Sequence, residues 1–145
     1  MSLTRSEPVS IASAVHGIVL SFPVALFSAA VASDIAYLKT SETQWTNFSS
    51  WMIAGALVFG GLLLAWALID WIVKLRRPDS RHRLLYLATV AVMWVVGLVN
   101  AFHHARDGWS SVGTTGVILS VVTMVLALVA AWMSFSRTAR WEIAR

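Results

Sequence analysis

Apolar and charged positions along this chain fall into long alternating blocks. Stretches free of Asp, Glu, Lys and Arg run from Pro8 to Ser33, from Thr43 to Ile69, from Leu84 to Phe102 and from Gly108 to Ser136. Each approaches or exceeds the roughly 20 residues that a helix needs to cross ~30 Å of hydrocarbon. None shows the strict alternation of a transmembrane barrel strand, and helices satisfy their own backbone groups where the bilayer cannot. The pattern predicts an all-α membrane protein with helices near 11–33, 51–74, 83–104 and 113–136. Short linkers make consecutive helices antiparallel neighbours in one four-helix, up-down domain spanning residues 1–145.

Composition supports the same reading. Of 145 residues, 58% are hydrophobic and only 12% charged, with a mean hydropathy of +0.73. A chain this short has too little interior to hide so much apolar surface, so the surplus must meet a lipid bilayer. The absence of cysteine excludes disulfide scaffolds, thiolate metal sites and c-type haem attachment.

The net charge of +4 takes its meaning from its distribution. Nine basic residues fall on one side of the spans: Arg5, the hairpin from Lys74 to Arg83, and Arg137, Arg140 and Arg145, against Lys39 and Arg106 on the other. The positive-inside rule then puts both termini and the hairpin in the cytoplasm, and no nucleic-acid partner is needed. Trp45, Trp51 and Trp109 fall near the outer boundary, and Trp71 and Trp141 near the inner one, as interfacial anchors. A competing reading of the first span is a secretory signal cut after Ala30-Val31-Ala32. Its length and the interruptions at His16 and Pro23 favour a retained helix.

Ionisable groups inside hydrocarbon mark function by default. His16 lies in the cytoplasmic third of the first helix, and Asp34 follows eighteen residues later, about five turns, on the same face. Asp70, near the end of the second helix, shares the depth of His16, and His82 begins the third helix with Arg81 and Arg83 beside it. A cluster of His16, Asp70, Arg81 and His82 is within reach. Asp70 either pairs with Arg81, Arg83 or Lys74, or orients His16 so that its other nitrogen binds a metal or exchanges a proton.

At the outer end Asn100, His103 and His104 share a helix face, with Asp34 and Asp107 at the same level. They form either a metal site made of His103, His104 and Asp34 or a hydrated helix end whose histidines complement the negative terminus. Ala56, Gly60, Gly61, Ala65 and Gly97 allow close helix approach. Pro23 should kink the first helix and free a carbonyl for a nearby serine or water.

The run His16-Gly17-Ile18-Val19-Leu20-Ser21-Phe22-Pro23-Val24-Ala25-Leu26, with Asp34, Trp51 and Asp70, resembles a bacterial family of four-helix membrane proteins catalogued as domain of unknown function 2231, marked by H-x5-F-P-[IV]-A-L. The stretch from Val99 to His103 and on through Ser111-Val112-Gly113-Thr114 is similar to one proteobacterial branch of it. Many members carry a second histidine before the Phe-Pro pair. Ser21 stands there instead, so the first helix offers one histidine. Related domains are joined to Rieske-type or cytochrome modules, and the resemblance thus implies an electron-transfer setting.

Haem b in a bundle needs axial ligands at one depth on facing helices, which His16 and His82 can supply, with His103 as another candidate second ligand. His103 and His104 point about 100° apart and cannot clamp one iron, so an outer haem would need a ligand from a second copy, as in a homodimer. Three readings follow. The first is a haem-binding or electron-transfer protein with a redox membrane partner. The second is a non-enzymatic subunit or scaffold that binds a partner or itself. The third is a proton- or ion-coupled carrier, for which an internal repeat is missing. No hydrolase or phosphate-loop motif suggests an enzyme.

Overall fold

The computed structural model describes residues 10–106 and 112–143, with side chains described as far as residue 136. Arg5, Asp107 and Trp109, and the side chains of Arg137, Arg140, Trp141 and Arg145, lie outside the described residues. Four helices make up the fold: α1 (Ile11–Thr40), α2 (Thr43–Val73), α3 (Ser80–His104) and α4 (Thr114–Ile143). α1 packs on α2, α2 on α3, α3 on α4 and α4 back on α1, closing an up-down ring. All four are long and apolar enough to cross a membrane.

Helix boundaries depart from the sequence expectation at the junction of the first two helices. α1 continues seven residues beyond position 33, α2 begins eight before position 51, and only Ser41 and Glu42 separate them. Ser41 adopts the left-handed conformation at φ 57°, and its N–H donates to the Tyr37 carbonyl at 2.8 Å, closing the end of α1. A charge-free run measures how much helix the hydrocarbon can cover. It does not mark where the helix stops, because Asp34 is absorbed inside the bundle and the backbone continues past it. At the other end Ser10 caps α1, its side chain accepting from the Ser13 N–H at 3.2 Å.

Between helices in lipid there is little hydrophobic driving force, so close packing holds them together. The central layer is made of Leu20, Phe27, Ile53, Leu63, Val90 and Met93, all essentially inaccessible, with Ala30, Ala56, Ala127 and Ala130 between them. Gly97 seats Phe27: a Cβ there would lie 3.0 Å from the end of that ring and 3.1 Å from a Leu57 methyl. Gly60 and Gly61 make room for Trp94, whose indole N–H donates to the Leu57 carbonyl at 3.1 Å. Ala56 is buried as expected, but Ala65 is exposed and faces no helix, because one residue in a row of small ones turns away as the helix rotates. Large apolar side chains such as Ile18, Val58, Val95, Ile118 and Trp132 point outward.

α1 runs through the buried Pro23 without a break. Ser21 donates to the Ile18 carbonyl at 2.7 Å, one residue before the Val19 carbonyl from which proline withholds its usual donor. The inward face of α1 carries His16, Leu20, Pro23, Phe27, Ala30 and Asp34, so the histidine and the aspartate do share a side.

Candidate functional site

Two polar clusters interrupt the apolar bundle, one at each end. The first lies where α1 and α3 finish and α2 and α4 begin. Asp34 is fully buried there, one carboxylate oxygen 3.1 Å from Nε2 of His104 and the other accepting from the Ser120 hydroxyl at 2.6 Å. The amide nitrogen of Asn100 donates to the Ser120 oxygen at 3.0 Å, and Nδ1 of His104 lies 3.0 Å from the Asn100 carbonyl oxygen. The hydrogen bonds form a closed circuit. It leaves the Asn100 side chain, passes through Ser120, Asp34 and His104, and returns to the Asn100 backbone, tying α1, α3 and α4 together. Ser49 of α2, also fully buried, stands beside Asp34 while its hydroxyl donates to the Thr46 carbonyl at 3.1 Å.

The circuit dictates its protonation. A carbonyl oxygen only accepts, so Nδ1 of His104 carries a hydrogen, and the contact between Nε2 and Asp34 needs exactly one more, shared between them. Imidazolium with carboxylate, or imidazole with carboxylic acid, gives zero net charge, which is what a low-dielectric interior tolerates. His104 also forms part of the wall of a polar groove of about 370 Å³ lined by Thr43, Thr46, Asn47, Ser50 and Arg106.

These contacts match neither sequence reading of this end as it stood. His104 is part of a buried pair, not a hydrated helix end, because Asp34 reaches it from α1. Of the metal set His103, His104 and Asp34, only the last two meet: the His103 ring centroid is 6.2 Å from that of His104, and Nε2 of His103 is buried without a hydrogen-bond partner. Among the described residues no three His, Cys, Asp or Glu side chains converge to hold a metal ion. Ser120 and Ser49 were not singled out from the sequence. Their only signal is being polar in an apolar span at the depth of Asn100, and periodicity does not say which of many such serines turns inward.

The second cluster surrounds a cavity of about 220 Å³ at the opposite end, walled by all four helices. His16 reaches in from α1, with Nε2 3.1 Å from the Tyr86 hydroxyl of α3, Nδ1 3.5 Å from the Ser134 hydroxyl of α4, and its ring edge-on to Trp66 of α2 at 5.7 Å. Asp70 on α2 and Lys74 capping its end, with His82 and Arg83 on α3, complete the polar part of the wall. Asp70 binds Lys74 through one oxygen and Arg83 through the other, while Arg83 also donates to Asp79 at 2.7 Å.

The expected gathering of His16, Asp70 and His82 around one space is observed. Arg81 is replaced in it by Arg83, because two further residues bring the side chain round to the inward face of α3. Of the two roles considered for Asp70, pairing with Lys74 and Arg83 is the one seen, and the hydrogen bonds described for the His16 ring go to Tyr86 and Ser134. Tyr86, Trp66 and Ser134 are the wall residues that sequence reasoning missed; a tyrosine and a tryptophan near a helix end read equally well as interfacial anchors.

No curated protein and no solved structure matches the chain. A family model described as "Predicted membrane protein (DUF2231)" matches residues 12–142, a span that takes in α2 and α3 whole and all but an end residue of α1 and of α4. The four apolar helices and the motif around His16 and Pro23 thus have their place in a family, and the chain belongs to it.

Proposed function

We propose that this integral membrane protein is a non-enzymatic subunit that holds a ligand or a partner in the His16 cavity, with that end of the bundle facing the cytoplasm of a bacterial inner membrane. The observation that carries the reading is a polar cavity walled by all four helices and carrying two cations against one carboxylate, whereas Asp34 and His104 at the other end are paired with each other. Buried polar groups are costly in lipid, and a cavity lined with them is a place to receive something. The basic residues of the α2–α3 hairpin border this end and support its cytoplasmic assignment.

A haem b reading draws on His16 and His82 lining one cavity. The fit is poor. About 220 Å³ is less than the roughly 300–1,000 Å³ of pockets that take cofactor-sized ligands, and both nitrogens of His16 face hydroxyl groups. A carrier reading draws on His16, Asp34 and Asp70. The layer of Leu20, Phe27, Ile53 and Met93 lies between the two polar levels, which the eighteen residues from His16 to Asp34 set about 27 Å apart.

Native mass spectrometry of protein extracted gently from its own membranes tests the proposal. A bound small molecule or partner chain is expected in the wild type and lost in His16→Leu, while a variant at the other cluster keeps it. Absence of any bound species, or its retention in His16→Leu, overturns the reading, and an absorption spectrum of the same sample with and without dithionite decides the haem alternative. Because the chain has no cysteine, single cysteines placed at Arg76 and Lys39 report orientation directly. Only the one at position 76 should be shielded from an impermeant thiol reagent in intact cells.

A further inference from the structure

Among the described residues, the wall of the His16 cavity sets two cations, Lys74 and Arg83, against a single carboxylate. Its one acceptor-only side chain among the described residues is Asp70, and both carboxylate oxygens are already engaged, one by Lys74 and one by Arg83. The cations are less fully used. A guanidinium has five N–H groups and an ammonium three. Arg83 spends one nitrogen on Asp70 and one on Asp79, and its Nε is buried with no hydrogen-bond partner. Lys74 has a single carboxylate contact and is partly exposed.

The surrounding field has the same sign. From Asp70 to Arg83 the chain carries five basic residues, Lys74, Arg76, Arg77, Arg81 and Arg83, against Asp70 and Asp79. The first turn of α1, at Ser10 and Ser13, also opens on the cavity. A ligand that satisfies this wall must bring negative charge and several acceptor oxygens in a small volume. Guanidinium and ammonium groups recognise phosphate in that way.

We propose that the cavity binds a phosphate-type oxyanion through Arg83 and Lys74, either as the headgroup phosphate of an anionic phospholipid or as free inorganic phosphate. Tyr86 and His82 stand in the same wall to orient its oxygens. The inference rests on the reading of this cavity as a ligand site and names the ligand's chemistry.

Trp66, in the cavity wall and against His16, provides the probe. Full-length protein labelled with 5-fluorotryptophan, with the Trp66 resonance assigned through Trp66→Phe, is titrated in two arms: inorganic phosphate in lipid-free detergent, and nanodiscs of phosphatidylcholine with increasing phosphatidylglycerol. A saturable shift with phosphatidylglycerol alone identifies a lipid headgroup, and a shift with phosphate in detergent identifies the free anion. Lys74→Gln, at a partly exposed position that the fold can spare, should weaken binding about tenfold, the loss of one charge-assisted hydrogen bond. Arg83→Lys should do the same if it folds. No shift in either arm, or equal affinity in Lys74→Gln, overturns the proposal. If native mass spectrometry finds a bound species that depends on His16 but contains no oxyanion, this inference falls and the ligand-site reading stands; if it finds none, both fall.

Discussion

The two ends of this bundle each hold an aspartate, a histidine and a serine at one level and use the aspartate in opposite ways. Around Asp34 one carboxylate meets one imidazole, a hydroxyl and an amide complete the ring, and the buried pair sums to zero charge. Around Asp70 one carboxylate is divided between two cations, donors are left over, and the helices stand apart around a cavity. What separates the two is charge: the Asp34 end is a neutral pair tying three helices together, although Oδ1 of Asn100 is buried there without a partner, and the Asp70 end sets two cations against one carboxylate beside a cavity.

The largest effect should come from unbalancing the neutral pair. His104→Leu leaves the Asp34 carboxylate buried without its partner, and removing one member of a buried pair costs about 3–5 kcal/mol. Asp34→Leu should cost a similar amount, while the double variant should cost clearly less than the sum, since no lone charge remains. Reversible unfolding in mixed micelles measures all three. Additive losses would mean that the two residues are not a unit and would break the contrast between the ends.

The same pair should make stability depend on pH at both extremes. Losing the shared proton in alkali sets a carboxylate against an imidazole lone pair, and gaining a second in acid sets an imidazolium against a neutral acid. The wild type should therefore unfold more easily at either extreme, and the double leucine variant should show a flatter profile in the same assay.

A smaller loss is expected in the dry layer that separates the two ends. Gly97→Ala puts a methyl 3.0 Å from the Phe27 ring and 3.1 Å from Leu57, an overpacking worth about 1–3 kcal/mol. Gly17→Ala, with nothing within 4 Å of the new methyl, is the control and should be neutral. The smallest change in stability should follow Asp70→Asn, where the site is partly open to solvent and the ion pairs are correspondingly weak. Its informative effect is on binding. With the carboxylate gone, Lys74 and Arg83 are released, and the titration of the Trp66 resonance should show tighter binding of the oxyanion. Weaker binding would show that Asp70 positions the two cations for the ligand and does not compete with it.

Much of this was legible in the residue pattern. Four spans, their antiparallel order and the gathering of His16, Asp70 and His82 follow from where charges are absent and from 1.5 Å of rise per residue. Depth is a one-dimensional quantity that a sequence carries well. Facing is harder to read. Arg83 enters the cavity in place of Arg81 through a rotation within one turn of α3. Ser120 joins Asp34 because α4 presents that serine inward, a choice hidden in a span rich in serine and threonine. His104 looked like the polar end of a helix because its partner is 70 positions away on α1.

From the sequence alone come the spanning helices, their number and the depth of each ionisable group, because transfer of charge out of hydrocarbon dominates every other local preference. Only the tertiary structure decided which of these groups meet and in what ratio. Pairing depends on the rotation of each helix about its own axis, set by the fit of Phe27 over Gly97 and Trp94 over Gly60 and Gly61. That packing is a property of all four helices together, and it leaves Asp34 matched and Arg83 in want of an acceptor.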